Sequence, residues 1–149
     1  MDLRRISAKD TYPIRKKVLI PEGCEGEVSV QFEHDNDEDL AFHLGVFIEG
    51  KLASVTSMFF VSHPDIPDEY QYQVRGMATL SEYQRQGLSS ELLKMAFSIV
   101  KQNQCHVVWC HAQERSIGFY EKVGFTKLGG PFDLPPIGRH QLMMIRLDD

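Results

Sequence analysis

The chain reads as an α+β fold, a mixed α/β sandwich of helices around one sheet, and three observations carry that reading. Short strand-like runs alternate with helical patterns along the whole sequence. Leu40 to Ile48 and Leu52 to Val61 flank Glu49-Gly50, which is a hairpin signal. Gly87 to Asn103 is amphipathic with helical spacing: Leu88, Leu92, Met95, Ala96 and Ile99 share one face, and Glu91, Lys94, Ser98, Lys101 and Gln102 cover the other.

In chain order, Leu3 to Ile6 predicts a first strand. Asp10 or Thr11 can cap a helix with Pro13 in its first turn, where a missing N–H costs little. Ile14 and Val18 lie one turn apart on it, and Pro21 ends it. Glu22 to Glu27 reads as a loop, the alternation of Val28 to Phe32 predicts a strand, and His34 to Asp39 is an acidic turn. After the hairpin come a Pro-containing loop, His63 to Glu69, and a strand from Tyr70 to Leu80. Beyond the amphipathic helix, Val107 to Ala112 has the continuous apolar character of a strand covered on both faces. Ser116 to Val123 predicts a short helix stopped by Gly124. Phe125 to Phe132 and Gln141 to Leu147 are the last predicted strands, with a Pro- and Gly-rich loop, Asp133 to His140, between them.

With 149 residues, 42% hydrophobic and 25% charged, the chain fits a single domain spanning residues 1–149. A net charge of −5 argues against a nucleic-acid partner and suits a cationic amine. The start of the chain lacks the apolar core of a signal peptide, and no run has the length of a membrane span. The three cysteines, Cys24, Cys105 and Cys110, imply no disulfide framework, so a reducing cytoplasm is the expected location.

The chemistry concentrates between Val74 and Phe125. A strand ends in the turn Gln84-Arg85-Gln86-Gly87-Leu88-Ser89-Ser90, which opens the amphipathic helix. A helix N-terminus offers unpaired N–H groups and a positive dipole end, which together suit a pyrophosphate. Gly87 lets the backbone approach such an anion, and Arg85 adds a charge. Neither G-x-x-x-x-G-K-[ST] nor G-x-G-x-x-G occurs, which sets aside P-loop and dinucleotide sites. Cys105, His106, Cys110 and His111 have no second cluster at zinc spacing, so no metal is expected. Asp35, Asp37 and Asp39 start like a calcium loop, but Leu40 stands where its glycine belongs.

The turn resembles the Q/R-x-x-G-x-G/A signature of the GNAT acyltransferases, with Met77-Ala78-Thr79-Leu80 before it and Gly118-Phe119-Tyr120-Glu121-Lys122-Val123-Gly124-Phe125 after it. The stretches MATL, WCHA, GFYEKVGF and PPIGRHQLM look most like small bacterial-type members of unassigned substrate. Two positions depart from the pattern: Ser89 replaces the usual Gly or Ala, and His111 stands where similar members often carry Asn.

The resemblance implies a GNAT-like acyl-CoA N-acyltransferase fold, with a central mixed, mostly antiparallel sheet of seven strands flanked by helices. It implies acetyl-CoA as cosubstrate and transfer of its acetyl group to a primary amine of a small molecule or peptide, by direct attack in a ternary complex. Met77, Ala78 and Thr79 then hold the pantetheine and thioester oxygen, helped by a bulge that frees their backbone groups. Gln84, Arg85, Gln86, Gly87, Leu88, Ser89 and Ser90 hold the pyrophosphate, and Tyr120 protonates the departing thiolate. Glu82, His111, Glu114 or a water chain serves as base. Apart from the resemblance, the acidic balance, the His63 to Glu69 loop with Asp65, Asp68 and Glu69, and the Pro-rich Asp133 to His140 loop suggest an amine-binding rim. A homodimer is compatible with this reading. A non-catalytic acyl-CoA sensor on the same fold, and a plain interaction domain, are the competing readings.

Overall fold

A computed structural model describes residues 1–147, so Asp148 and Asp149 of the expected domain lie outside the described residues. The strands are β1 (Asp2–Ile6), β2 (Ala41–Ile48), β3 (Lys51–Phe59), β4 (Tyr72–Thr79), β5 (Val107–Gln113), β6 (Thr126–Lys127), β7 (Phe132–Leu134) and β8 (Gly138–Arg146). The helices are α1 (Ala8–Leu19), α2 (Leu88–Gln102) and α3 (Ile117–Val123). One sheet runs β1-β2-β3-β4-β5-β8-β6, with β7 on β8. All its pairings are antiparallel except β4 with β5.

The two faces of the sheet carry separate cores. Leu44, Val46, Val74, Val108 and Cys110 pack with Leu92, Ala96 and Val100 of α2 and with Tyr120 of α3. Val55 and Ala78 point the other way and join Ile14 of α1. Trp109 and Leu142 carry that second face on under the loop residue Ile66. β5 is therefore covered on both faces, as its apolar run predicts.

Four local expectations are corrected. Helix α1 is capped by Ser7, not by Asp10 or Thr11: the Ser7 side chain accepts from the Asp10 N–H, and the Asp10 carboxylate accepts from the Ser7 N–H. Asp10 belongs to the first turn of that capping box, and Pro13 lies inside the helix. Val28 to Phe32 is not a strand. Its polar backbone groups go to local turns and side chains instead of a ladder: the Val28 N–H donates to the Cys24 carbonyl, the Val30 carbonyl accepts from Arg15 and the Phe32 N–H donates to Asp35. The predicted strand Phe125 to Phe132 is broken into β6 and β7, with Gly129, Gly130 and Pro131 between them. The loop Asp133 to His140 is the turn of a β7–β8 hairpin, in which Leu134 faces Gly138. Among the described residues the sheet has eight strands, where the resemblance implies seven.

Candidate active site

The site starts where β4 and β5 part. These strands pair in parallel through Tyr72 with Val108 and Gln73 with Trp109, and no further. Beyond Gln73 the β5-facing backbone edge of β4 has no strand partner, so a splay opens between the two strands. On its other edge β4 carries a bulge. Val55 pairs with Ala78 and Ser57 with Arg75, which leaves Thr56 opposite both Gly76 and Met77. Gly76 takes φ +65, a conformation that side-chain-bearing residues rarely adopt. The bulge therefore begins at Gly76, just before the predicted Met77, Ala78 and Thr79.

The predicted anion turn follows. Gln84, Arg85, Gln86 and Gly87 are exposed, and Gly87 is the left-handed N-cap of α2, at φ 77. No side chain caps the helix, and a Cβ on Gly87 would meet nothing within 4 Å. Leu88 is buried and anchors the first turn. The Gln84 side chain donates to the Thr79 carbonyl. Ser89 turns its hydroxyl toward Thr79 at 3.2 Å, and Thr79 in turn meets Ser54 at 2.7 Å. The Ser89 side chain thus ties the start of α2 to β4 and β3. An unpaired strand edge running toward an uncapped helix start fits a long thioester cosubstrate with a pyrophosphate.

Tyr120 stands in α3, buried between Phe119 and Phe125, with the Cys110 thiol of β5 close enough to act on its ionisation. Burial, then the neighbouring Cys110, holds its pKa well above 10, so the phenol keeps its proton. Burial also pushes the Cys110 thiol far up, which sets Cys110 aside as a nucleophile.

Of the three base candidates, His111 alone lies on a strand at the splay. It packs against Trp109, His63 and Phe132, at 5.2, 5.5 and 5.1 Å between ring centroids. Burial first, then His63, His140 and Arg75, lowers its pKa and keeps the ring neutral. Glu82 is exposed and pairs with Lys51 at 3.3 Å. Glu114 lines a cleft of about 380 Å³ with Val18, Leu19, Gln113, Arg115 and Arg139, between the end of α1 and the end of β5. Asp68 is held by Arg146 at 2.7 Å, and His63, not an acid, is the loop residue that reaches His111.

Several neighbours of the site were not read from the sequence. Arg15, buried to 1% exposure, makes a bidentate pair with Asp35 and donates to Ser57. The Ser57 hydroxyl lies 2.6 Å from His43 Nδ1, and His43 Nε2 lies 2.8 Å from the Asp35 carbonyl. The carbonyl only accepts, so Nε2 carries the proton and Nδ1 accepts from Ser57. Phe32 lies beside Gly76, with the guanidinium groups of Arg15 and Arg75 at 3.9 and 4.1 Å from its ring centre. Only a glycine inside a strand-like run, Gly76, signalled any of this in the sequence.

Comparison with known proteins decides the family. The model of the Acetyltransferase (GNAT) family matches residues 7–125, a span that holds α1, the splay, the α2 turn and Tyr120. The chain belongs to the GNAT acetyltransferase family. It is 38% identical over 143 residues to an uncharacterized N-acetyltransferase, YitI, of Bacillus subtilis strain 168, covering 96% of this chain and 94% of that one. The fold is shared with an acyl-CoA N-acyltransferase from Pseudomonas aeruginosa, with TM-score 0.75, 18% identity, and 96% and 97% of the two chains covered. It is also shared with an aminoglycoside 6′-N-acetyltransferase complexed with coenzyme A, with TM-score 0.73, 8% identity, and 100% and 98% covered. The GNAT-like fold expected from the motifs is thus present, and the protein is an N-acetyltransferase. Among the described residues no group of His, Cys, Asp and Glu could hold a metal ion, and no helix is long and apolar enough to cross a membrane.

Proposed function

We infer that the protein, acting as a single cytoplasmic domain, transfers the acetyl group of acetyl-CoA to a primary amine of a small molecule or peptide, with both substrates bound together. The observation that carries this reading is the splay, because it leaves the β5-facing backbone edge of Met77, Ala78 and Thr79 without a strand partner in front of an uncapped helix start. Acetyl-CoA supplies an acetyl group already activated as a thioester. The strand edge at Met77 to Thr79 binds the pantetheine arm and donates to the thioester oxygen. The N–H groups from Gln86 to Ser90 hold the pyrophosphate, with Arg85 beside them. His111, neutral at pH 7, accepts the amine proton directly or through water. Tyr120, kept protonated by burial, donates to the departing sulfur.

The test combines turnover with binding. Thiol release from acetyl-CoA is measured over a panel of primary amines, and CoA affinity is measured by calorimetry in the wild type and in Gly87→Val. The panel should include substrates. Gly87→Val should lose CoA affinity and stay folded, because its side chain enters open space where the pyrophosphate belongs; the left-handed φ costs about 1–2 kcal/mol. Unchanged CoA affinity in a folded Gly87→Val would remove this turn from the site. CoA binding with no turnover on any amine would favour an acyl-CoA sensor.

A further inference from the structure

We propose that the amine acceptor carries a carboxylate and that Arg75 receives it. The proposal rests on the reading of the splay as the acetyl-transfer site. Gln73 and Trp109 are the last paired residues of β4 and β5. Strand side chains alternate, so the next positions on that face are Arg75 and His111, one on each lip of the opening. This face is opposite the one covered by α2, and it also bears His43 and Ser57, with Ser57 paired to both His43 and Arg75.

Arg75 is exposed and makes no hydrogen bond or ion pair among the described residues. Its guanidinium is nevertheless fixed, stacked 4.1 Å from the Phe32 ring centre. Phe32 is fixed in turn by Arg15 and by the Phe32 N–H bond to Asp35. The acids nearest Arg75 are committed elsewhere. Both oxygens of Asp35 bind Arg15 in the interior. Glu33 points outward, 84% exposed, and contacts His34 at 3.5 Å. Across the opening, His111, His63, Trp109 and Phe132 form a wall of rings without a carboxylate. The Trp109 N–H is taken by the Val61 carbonyl, so that wall offers shape and imidazole rather than charge. A polycationic acceptor would meet an unpaired arginine here. An amine bearing a carboxylate would place that group in the planar fork and turn its amine toward the gap between β4 and β5.

The test uses matched pairs of acceptors: glycine with glycinamide, β-alanine with β-alaninamide, L-methionine with L-methioninamide, and 4-aminobutyrate with its amide. Thiol release from acetyl-CoA gives kcat/KM for each. The wild type should prefer the acid in the productive pair by about 10- to 100-fold, the scale of one charged hydrogen-bonding contact. Arg75→Gln should lose that preference mainly through KM, and Arg75→Lys, which keeps the charge without the fork, should keep part of it. A second readout is independent of turnover. The fluorescence of Trp109, the one tryptophan of the chain, should respond to N-acetylglycine and not to N-acetylglycinamide, and Arg75→Gln should abolish the response. Amides acetylated as well as acids, or an acid-to-amide ratio unchanged in Arg75→Gln, would overturn the carboxylate assignment while leaving acetyl transfer in place. An Arg75-dependent response to N-acetylglycine without turnover on any amine would uphold the carboxylate site and overturn the transferase reading. Neither response nor turnover would overturn both.

Discussion

Two residues at the site separate chemistry from packing. A phenylalanine at position 120 keeps the ring between Phe119 and Phe125 and removes only the phenolic hydroxyl, with the proton assigned to the thiolate. General acid catalysis is worth about 10²–10⁴-fold, so Tyr120→Phe should lower turnover by that order while the melting temperature and CoA affinity hold. A chemistry-limited rate that does not fall would pass the proton donation to water. Gly76 is the converse case, a residue whose role is space. Its Cβ would sit 2.9 Å from Phe32 and 3.1 Å from Arg15 Nε, on a backbone at φ +65. Gly76→Ala should therefore destabilise the protein by about 1–3 kcal/mol and displace Phe32 from beneath Arg75. Thermal unfolding measures the first effect, and a normal melting temperature would show that the bulge tolerates a side chain.

At the scale of elements, α1 and the segment after it are joined to β3 by a buried ion pair. Arg15 answers Asp35, the Val30 carbonyl and Ser57 at once, and its only unpartnered nitrogen is Nε, beside Gly76. Arg15→Met fills similar volume but leaves the Asp35 carboxylate buried without its cation, with only the Phe32 N–H still bonded to it. Breaking one side of such a pair costs about 3–5 kcal/mol, and an unfolding curve should show a loss of that size. The double change Arg15→Met with Asp35→Asn should recover part of it, and no recovery would mean that the loss comes from packing alone. The same contact explains which elements were legible in the sequence. Helix α2 and the β2–β3 hairpin follow from spacing, because leucines one turn apart and a Glu49-Gly50 turn are local facts. The turn from Gln84 to Ser90 and the place of Tyr120 were legible through motif resemblance. Val28, Val30 and Phe32 alternate like a strand, yet Arg15, distant in sequence, takes the Val30 carbonyl, and the neighbouring Asp35, itself held by Arg15, takes the Phe32 N–H. Arg75 and Phe32 escaped notice for the same reason: they meet only through tertiary contacts, Phe32 being held by Arg15 and Asp35 beside β4.

Across the whole molecule, pH acts through histidines that the fold keeps neutral. His43 is buried and its pKa is lowered, by desolvation first, with the Arg15 charge acting the same way and Asp35 opposing it. His111 is lowered by burial and by His63, His140 and Arg75. In the unfolded chain both would titrate near 6.5. Below that value the unfolded state binds protons that the folded state refuses, so stability rises with pH in this window. It should be fully present above about pH 6.5 and decline as pH falls toward the lowered folded values, before the bulk of the carboxylates titrate. Protonating His43 also sets Nδ1–H against the Ser57 hydroxyl that donates to it, which disturbs the same network that holds Arg15. Melting temperatures measured from pH 8 to pH 5 should therefore fall on the acid side, and the fall should be shallower in His43→Gln. The His111→Gln variant should flatten the pH dependence of turnover while leaving much of the stability slope in place, since its imidazole is the one assigned to the amine proton. If His43→Gln and His111→Gln together leave the stability slope between pH 7 and pH 5 unchanged, the acid sensitivity belongs to other groups and the neutral-histidine account fails.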